Sequence, residues 1–513
     1  MTDRELIEAA RHALVNLESE QELLRNPLVP SDRSLSYGTM RFIVLSALES
    51  LGTGGVAATA QKRLRLHAIL RRCDLGGEVH KSVIRSMAIS RRQFYRERRE
   101  SLLSLAETIA GLVAEAGPPS RAESATSATM IDLGDAAEAY IEALRCAGQY
   151  RSVWREATAL ARGSAGDPRE IEFWLVASEA ARFLADAAGA ERALEAALER
   201  MLPESYWRSL WIAATAMNLQ WVAGKSGAAR DTFEQAVQAG PSERSLHGKE
   251  AVLLGLMLVT EARIEVDCGR WDRARSLLER ATRLSRNGGT AKPSSLLRLS
   301  ALILRLSAQL AYYADGDARR SATAFAAALD TAHASGELGN VASIAVHYAS
   351  TLGDAQREHA LRYADYGLDI ARRYYPGDRF VELTLEATPL LLRTRGSKAA
   401  CEAVERAHRC GLGARDRLYL DLARAKIAAH DGKLLEAADQ AEEVAAQLFA
   451  HGIDAWACDA RLVGAEACVG LGSRARARSK LAELGDVLEC ARSGIRSRAR
   501  ALEASLATDF FPA

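Results

Sequence analysis

The stretch GRWDRARSLLERA, residues 269–281, sets the reading of this chain. Gly269 suits the left-handed backbone that ends a helix, which alanine adopts only at a cost. Trp271, Ala274, Leu278 and Ala281 then recur at three- and four-residue steps, so they share one helical face. Two antiparallel helices approach closely only where small side chains face each other and a larger residue one turn on fills the gap. The spacing therefore predicts a helix, a glycine turn and a second helix that lays Ala274 and Ala281 against the first.

The signature returns along the chain, as Ala229, Phe233 and Ala236 before Pro241, as Gly432, Ala437 and Ala441, and as Gly472, Ala477 and Leu481. Turn glycines are expected near Gly148, Gly189, Gly224, Gly269, Gly316, Gly353, Gly396, Gly432 and Gly472, at spacings of 35 to 47 residues. Self-similarity of that length marks a helical solenoid. The units resemble tetratricopeptide repeats over roughly residues 135–500. They share the second-helix pattern and often the turn glycine, but mostly lack the first-helix tryptophan and the strict 34-residue period. The resemblance implies a right-handed, TPR-like array of about nine helical hairpins. In such an array each hairpin contacts its neighbours, and a long, partly concave surface is left for a peptide or protein.

Composition agrees with an all-α chain. Alanine makes up about a fifth of the 513 residues and proline only 11, which favours helix over sheet. The net charge is +1, so no global field draws the whole molecule to nucleic acid or anionic lipid. Eight cysteines are scattered without any C-x-x-C pair, which speaks against a disulfide framework or a zinc ribbon. No run of about 18 uncharged apolar residues is present, and the first residues carry acids at once, unlike a signal peptide. The chain reads as soluble and cytoplasmic, with no membrane partner.

Charge is unevenly placed. Residues 60–105 hold twelve bases and four acids, a basic module on a mildly acidic body. Residues 115–129, EAGPPSRAESATSAT, read as a linker. They divide a helical DNA-binding domain over residues 1–114 from the repeat domain over 130–510.

Within the basic module, Val83, Ile84 and Met87 mark one helix, Ala88-Ile89-Ser90 a short turn, and Ser90 the N-cap of a second helix. That second helix buries Phe94, Leu102, Leu105 and Ile109. This is the helix-turn-helix plan, over about residues 77–105, with the start of the second helix in the major groove. Arg91, Arg92, Gln93, Tyr95 and Arg96 fall on its outward first turns, where Arg reads guanine and Gln reads adenine. Arg98 and Arg99 suit phosphates. SRRQFYRERR, residues 90–99, resembles the recognition helix of a sigma-70 region-4-like helix-turn-helix. The leader Leu24-Arg25-Asn26-Pro27-Leu28 also resembles that of such bacterial regulators, so the likeness covers roughly residues 20–113. Ile84 stands where these families usually carry a small residue, and Glu97 where an apolar one often packs.

Other signals are bland. Ala223-Gly224-Lys225-Ser226 lacks the first glycine and the preceding strand of a phosphate loop, since position 219 is Leu. Gly52-Thr53-Gly54-Gly55 reads as a connection, and Asp315-Gly316-Asp317 as a turn lacking the further ligands of a calcium loop. His408, Cys410 and Cys401 form half a metal site at most. The seven tryptophans fall in the repeats, with core packing as the default and one or two lining the concave face. No catalytic constellation, cofactor site or metal site is assigned, and the chain reads as no enzyme.

The sequence points to an all-α regulator: a small helix-turn-helix domain on double-stranded DNA, followed by a TPR-like α-solenoid that takes a peptide or protein. A homodimer would pair two half-sites. The alternative is a TPR-like interaction scaffold whose basic head meets an acidic partner and never DNA.

Overall fold

The recurring small residues do face one another across helix pairs. The computed structural model of the chain describes all residues except 18, 30–39, 41–42, 45–46, 49–50, 52–64, 76–78, 88, 116–137, 139–140, 143, 146–147, 165, 201–205, 290, 292, 353–355, 411–412 and 509–513. The expected linker beyond residue 115, the turn residue Ala88, Gly353 and the Gly52–Gly55 connection thus lie outside the described residues. Among those described, the regular structure is helical and no strand occurs. They divide into two compact units, Met1–Val153 with Ala332–Leu338, and Trp154–Thr331 with Gly339–Ala513.

In the first unit α1 (Asp3–Val15) opens on a capping box. Glu5 N–H donates to Thr2 Oγ1 at 3.4 Å, and Thr2 N–H donates to Glu5 Oε2 at 2.6 Å, which satisfies two otherwise orphaned donors. The short α2 (Glu20–Leu24) leads into the Leu-Arg-Asn-Pro-Leu leader. There the buried Asn26 donates from Nδ2 to Ala9 O at 2.8 Å and accepts Leu28 N–H at 2.9 Å, pinning the leader to α1. After helical residues 65–70 and a π-helical turn Arg71–Leu75 come α3 (His80–Ser86) and the 25-residue α4 (Arg91–Glu115). Leu102, Leu105, Ala106 and Ile109 of α4 and Ala9, Ala10, Ala13 and Leu14 of α1 are buried where these two helices pack together. A second cluster, Ile69, Cys73, Val83 and Phe94 with Ile84, Met87 and Ile89, fills the corner between α3 and α4.

The second unit is the helical array. After α5 (Tyr150–Gly163) its hairpins are α6–α7 (Glu170–Phe183, Ala187–Glu199), α8–α9 (Tyr206–Val222, Ser226–Gln238), α10–α11 (Gly248–Asp267, Trp271–Asn287) and α12–α13 (Pro293–Tyr313, Ala318–Ser335). Then come α14–α15 (Leu338–Thr351, Arg357–Tyr374), α16–α17 (Asp378–Arg395, Ser397–His408), α18–α19 (Ala414–His430, Leu434–Ala450), α20–α21 (Asp454–Gly470, Arg474–Gly485) and a last helix α22 (Ser493–Thr508). Ala229, Ala274, Ala281, Ala437, Ala441 and Ala477 are fully buried in the hairpin contacts, as the small-residue pattern requires.

Gly148, Gly224, Gly269, Gly316, Gly396, Gly432 and Gly472 all take the left-handed conformation at φ between 72° and 78°. Gly189 does not, because it lies inside α7. The first turn of the array belongs instead to Ala185 at φ 63°, with Ala185 N–H on Arg182 O and Asp186 N–H on Ala181 O. The helix-ending hydrogen bonds are those a glycine would make, with a methyl group added.

The array departs from an open spiral. Its inner helices touch one another five hairpins on: α6 meets α16, α8 meets α18, α10 meets α20 and α12 meets α22. Turns dock on turns along this seam. Ser226 Oγ donates to His451 O at 2.6 Å, Trp271 Nε1 to Glu489 O at 3.0 Å, and Ser493 Oγ to Tyr312 O at 2.9 Å. At Gly269 a Cβ would lie 2.2 Å from Cys490 O, so only glycine lets the two segments meet.

Two substitutions test these points. Ala185→Gly relieves a left-handed alanine and should raise stability by up to about 1 kcal/mol in thermal unfolding. Gly269→Ala should lower it by about 2 kcal/mol or more, from backbone strain plus the clash at Cys490. An unchanged midpoint for Gly269→Ala would mean that the seam is not closed.

Candidate functional site

The basic helix is capped as its sequence predicts: Gln93 N–H donates to Ser90 Oγ at 3.1 Å. Ser90, Arg91, Arg92, Tyr95, Arg96 and Arg99 are exposed and Gln93 is half-buried. Arg91, Arg92 and Arg96 make no ion pair among the described residues, and Arg91 lies over the Tyr95 ring at 5.8 Å. Tyr95 is 43% exposed, a large apolar face left to solvent, and its hydroxyl lies 3.5 Å from His80 Nδ1. Arg99 Nη2 reaches Asp3 Oδ2 at 3.4 Å, an exposed pair worth little to stability.

The other face of α4 holds two charges that fasten it. Glu97, at the position where an apolar residue often packs, is buried and accepts both Arg65 Nε and Arg65 Nη2 at 2.8 Å, with Gln93 Nε2 adding a bond of 3.0 Å. Burial pushes the Glu97 pKa up, but the Arg65 and Gln93 hydrogen bonds and the nearby positive charges outweigh it, and the net shift is downward. Arg98, read from sequence as a phosphate contact, is instead drawn inward. Its Nε donates to Asp74 Oδ2 at 2.9 Å and its Nη2 to Asp74 Oδ1, and its side chain is 14% exposed. A long side chain beside a buried carboxylate, here Asp74 of the segment Arg71–Leu75, gains more from that bidentate pair than from solvent. The outward set is therefore Ser90, Arg91, Arg92, Gln93, Tyr95, Arg96 and Arg99.

In the second unit the side chains where early and late inner helices meet are buried and ionic. Arg182 of α6 donates to Asp378 of α16 at 2.7 Å, and Arg415 Nη2 of α18 to Asp416 Oδ1 at 2.9 Å. Arg492 is clamped between the Tyr313 and Trp456 rings at 4.0 and 3.6 Å while Nη2 donates to Glu386 Oε1 at 2.9 Å. Asp267 of α10 accepts Trp456 Nε1 at 3.2 Å and Tyr419 O–H at 3.4 Å across the seam. Trp221 and Trp456 are the most deeply buried tryptophans, and Trp271 is buried as well. Sequence reading missed these charges, whose one available signal was acids and arginines at buried phases of apolar helices, as in Arg415-Asp416.

Where the α10–α11 turn meets α22 an open cleft of about 740 Å³ remains, lined by Arg270, Trp271, Arg273, Arg275, Arg496 and Arg500. Behind it Glu261 and Glu265 are fully buried side by side. Burial first, and then the Glu265 charge, lift the Glu261 pKa to about 8, so its carboxyl is protonated at neutral pH. Among the described residues no helix is long and apolar enough to cross a membrane, and no three His, Cys, Asp or Glu side chains gather as a metal site.

No protein-family model matches the chain, and no curated protein matches it. Solved structures do. A Rap protein complexed with competence and sporulation factor is 14% identical with a TM-score of 0.46, covering 71% of this chain and 96% of its own. The TPR domain of P58(IPK) is 15% identical with a TM-score of 0.21, covering 74% and 99%. A signal-transduction ATPase with a tetratricopeptide-repeat sensor from Pyrococcus horikoshii is 12% identical with a TM-score of 0.32, covering 94% and 72%. At that distance the likenesses do not say what this chain binds.

Two measurements probe these charges. Glu97→Ala strands Arg65 and should lower the opening free energy of α4 amides by about 2 kcal/mol in native-state hydrogen exchange. Glu261 is protonated in the folded chain but ionised above its ordinary 4.5 when unfolded, so wild-type stability falls as pH rises towards 8. Glu261→Gln should flatten that slope and leave the variant more stable than wild type at pH 8. An unchanged slope would mean that Glu261 is ionised in the fold.

Proposed function

We propose that this chain is a DNA-binding transcriptional regulator whose TPR-like solenoid binds a peptide or protein partner. The observation that carries the reading is the first turn and a half of α4. Arg91, Arg92 and Arg96 stand exposed and unpaired among the described residues, Gln93 is beside them, and the opposite face is fastened through Glu97 and Arg98. A rigid helix that presents arginine and glutamine at its N-terminal end has the side chains for a major groove. Arg91, Arg92, Gln93 and Arg96 read bases, Ser90, Tyr95 and Arg99 meet the backbone, and Arg98 positions the helix through Asp74.

The repeat unit supplies the partner surface. Its inner face is occupied by its own side chains, so the partner meets the outer face, the arginine-lined cleft, or a seam that has opened. A partner that prefers an open seam shifts the population towards that state.

The test is selection of bound fragments from genomic DNA, followed by binding measured across a salt series. A site-specific duplex complex that weakens steeply with salt is expected. Arg91→Ala with Arg92→Ala should cost about 1–3 kcal/mol per lost base contact and abolish selectivity. If the double variant binds the preferred duplex as well as the parent does, the recognition-helix assignment is wrong. If the basic head binds only acidic protein and never a preferred duplex, the scaffold reading replaces it.

A further inference from the structure

The cleft between the α10–α11 turn and α22 gathers five arginines from two distant segments: Arg270, Arg273 and Arg275 at the start of α11, and Arg496 and Arg500 on α22. Arg496 and Arg500 are four residues apart, so they share one face of α22. These two make no ion pair among the described residues. Arg500 is exposed. Arg496 donates to backbone, from Nη1 to Ala491 O at 2.9 Å and from Nη2 to Ala314 O.

The other three are paired. Arg270 Nε meets Glu265 Oε2 at 2.6 Å, Arg273 Nη2 meets Glu234 Oε1 at 2.9 Å, and Arg275 Nη1 meets Asp272 Oδ1 at 2.7 Å, with Asp315 on its other nitrogen. Arg273 also reaches Glu265, at 3.3 Å. A guanidinium carries five N–H donors, more than these carboxylates occupy. The acids in the lining are Asp272 and Glu489, both exposed, so the wall carries more positive than negative charge. A cleft walled by one sign of charge concentrates ligands of the other. The ring in the lining, Trp271, is 8% exposed, and its Nε1 donates to Glu489 O at 3.0 Å. It leaves no open face on which a nucleobase could stack. The volume of about 740 Å³ lies among sites that take short ligands, ~300–1,000 Å³.

We propose that this cleft is the docking site for an acidic peptide segment of the partner, one with carboxylate side chains spaced along an extended chain. The inference rests on the reading that the repeat array takes a peptide or protein, and it names the chemistry of that partner. Arginines on two helices suit several separate carboxylates better than one compact anion, and a guanidinium fork takes a carboxylate with two parallel bonds. Asp272 and Glu489 are acceptors for the N–H groups of the peptide backbone. An occupant that spans α11 and α22 prefers the closed seam, because the cleft is formed by the meeting of these two segments.

The experiment uses the full chain and a capped hexaglutamate peptide. Cys490 lines the cleft and is half-buried, while Cys401 is exposed and stands outside the lining. Labelling of both thiols by N-ethylmaleimide is followed by mass spectrometry as peptide is added, and total binding by the anisotropy of a fluorescent copy. The expected result is saturable protection of Cys490, with Cys401 unchanged, that weakens as salt rises. Hexalysine should protect neither. Arg500→Glu, at a solvated position, should raise the half-protecting concentration about tenfold, and Arg500→Lys should leave it near the wild-type value. Glu489→Gln removes an acid from the lining and should lower that concentration several-fold, an effect no purely structural role would give. Peptide that binds by anisotropy while Cys490 stays unprotected overturns the cleft and spares the wider partner reading. If hexaglutamate does not bind at all, the cleft is overturned as well, and a partner of other chemistry is left to the outer face. An oligothymidylate of equal charge that protects Cys490 at lower concentration would make the ligand a nucleic acid and overturn the peptide assignment.

Discussion

Inner helices that meet again after five hairpins bury the side chains between them, and those side chains must satisfy one another. In this chain those side chains are charged. Asp267 faces Trp456 and Tyr419, and Arg182 faces Asp378, each across the seam between early and late hairpins. Breaking one partner of such a pair is far more damaging than replacing both, because the survivor is left buried and alone. The closed seam and the paired interior therefore depend on each other. The glycines at 269, 377 and 413 permit the approach, and the ion pairs set which residues meet.

The head is built on the opposite logic. There, charge is divided between the two faces of a single helix. Glu97 and Arg98, adjacent in sequence, both turn inward and are neutralised by Arg65 and Asp74. Arg91, Arg92 and Arg96 are left to solvent. The inward pairs fasten α4, and a fastened helix loses less entropy on binding a partner. Asn26 of the leader adds to this by tying its loop to α1, which packs along the same α4.

Local features were legible in the sequence, and long-range ones were not. The left-handed glycines and the buried alanines follow from sterics within one hairpin, so their spacing revealed them. Ala185 escaped because a left-handed alanine carries no sequence signal, while the nearby Gly189 resembled a turn and is helical instead. Ser90 as a cap and Phe94 as a core residue were readable from helix periodicity. The inward turn of Arg98 was not, because its cause is Asp74, 24 residues earlier. The seam joins positions such as Trp271 and Glu489, 218 residues apart, which no short-range pattern encodes.

The closed seam is tested most directly by a designed cross-link. A Cβ placed on Gly316 would lie 3.5 Å from the Ser493 Cβ, within the range that a disulfide spans. The double variant Gly316→Cys with Ser493→Cys is oxidised mildly in the folded state, and its linked peptides are read by mass spectrometry. A disulfide between 316 and 493, formed in the native protein and not in denaturant, is the predicted result. Two thiols that stay reduced in the folded chain would contradict the account, because the late hairpins would then not return to the early ones.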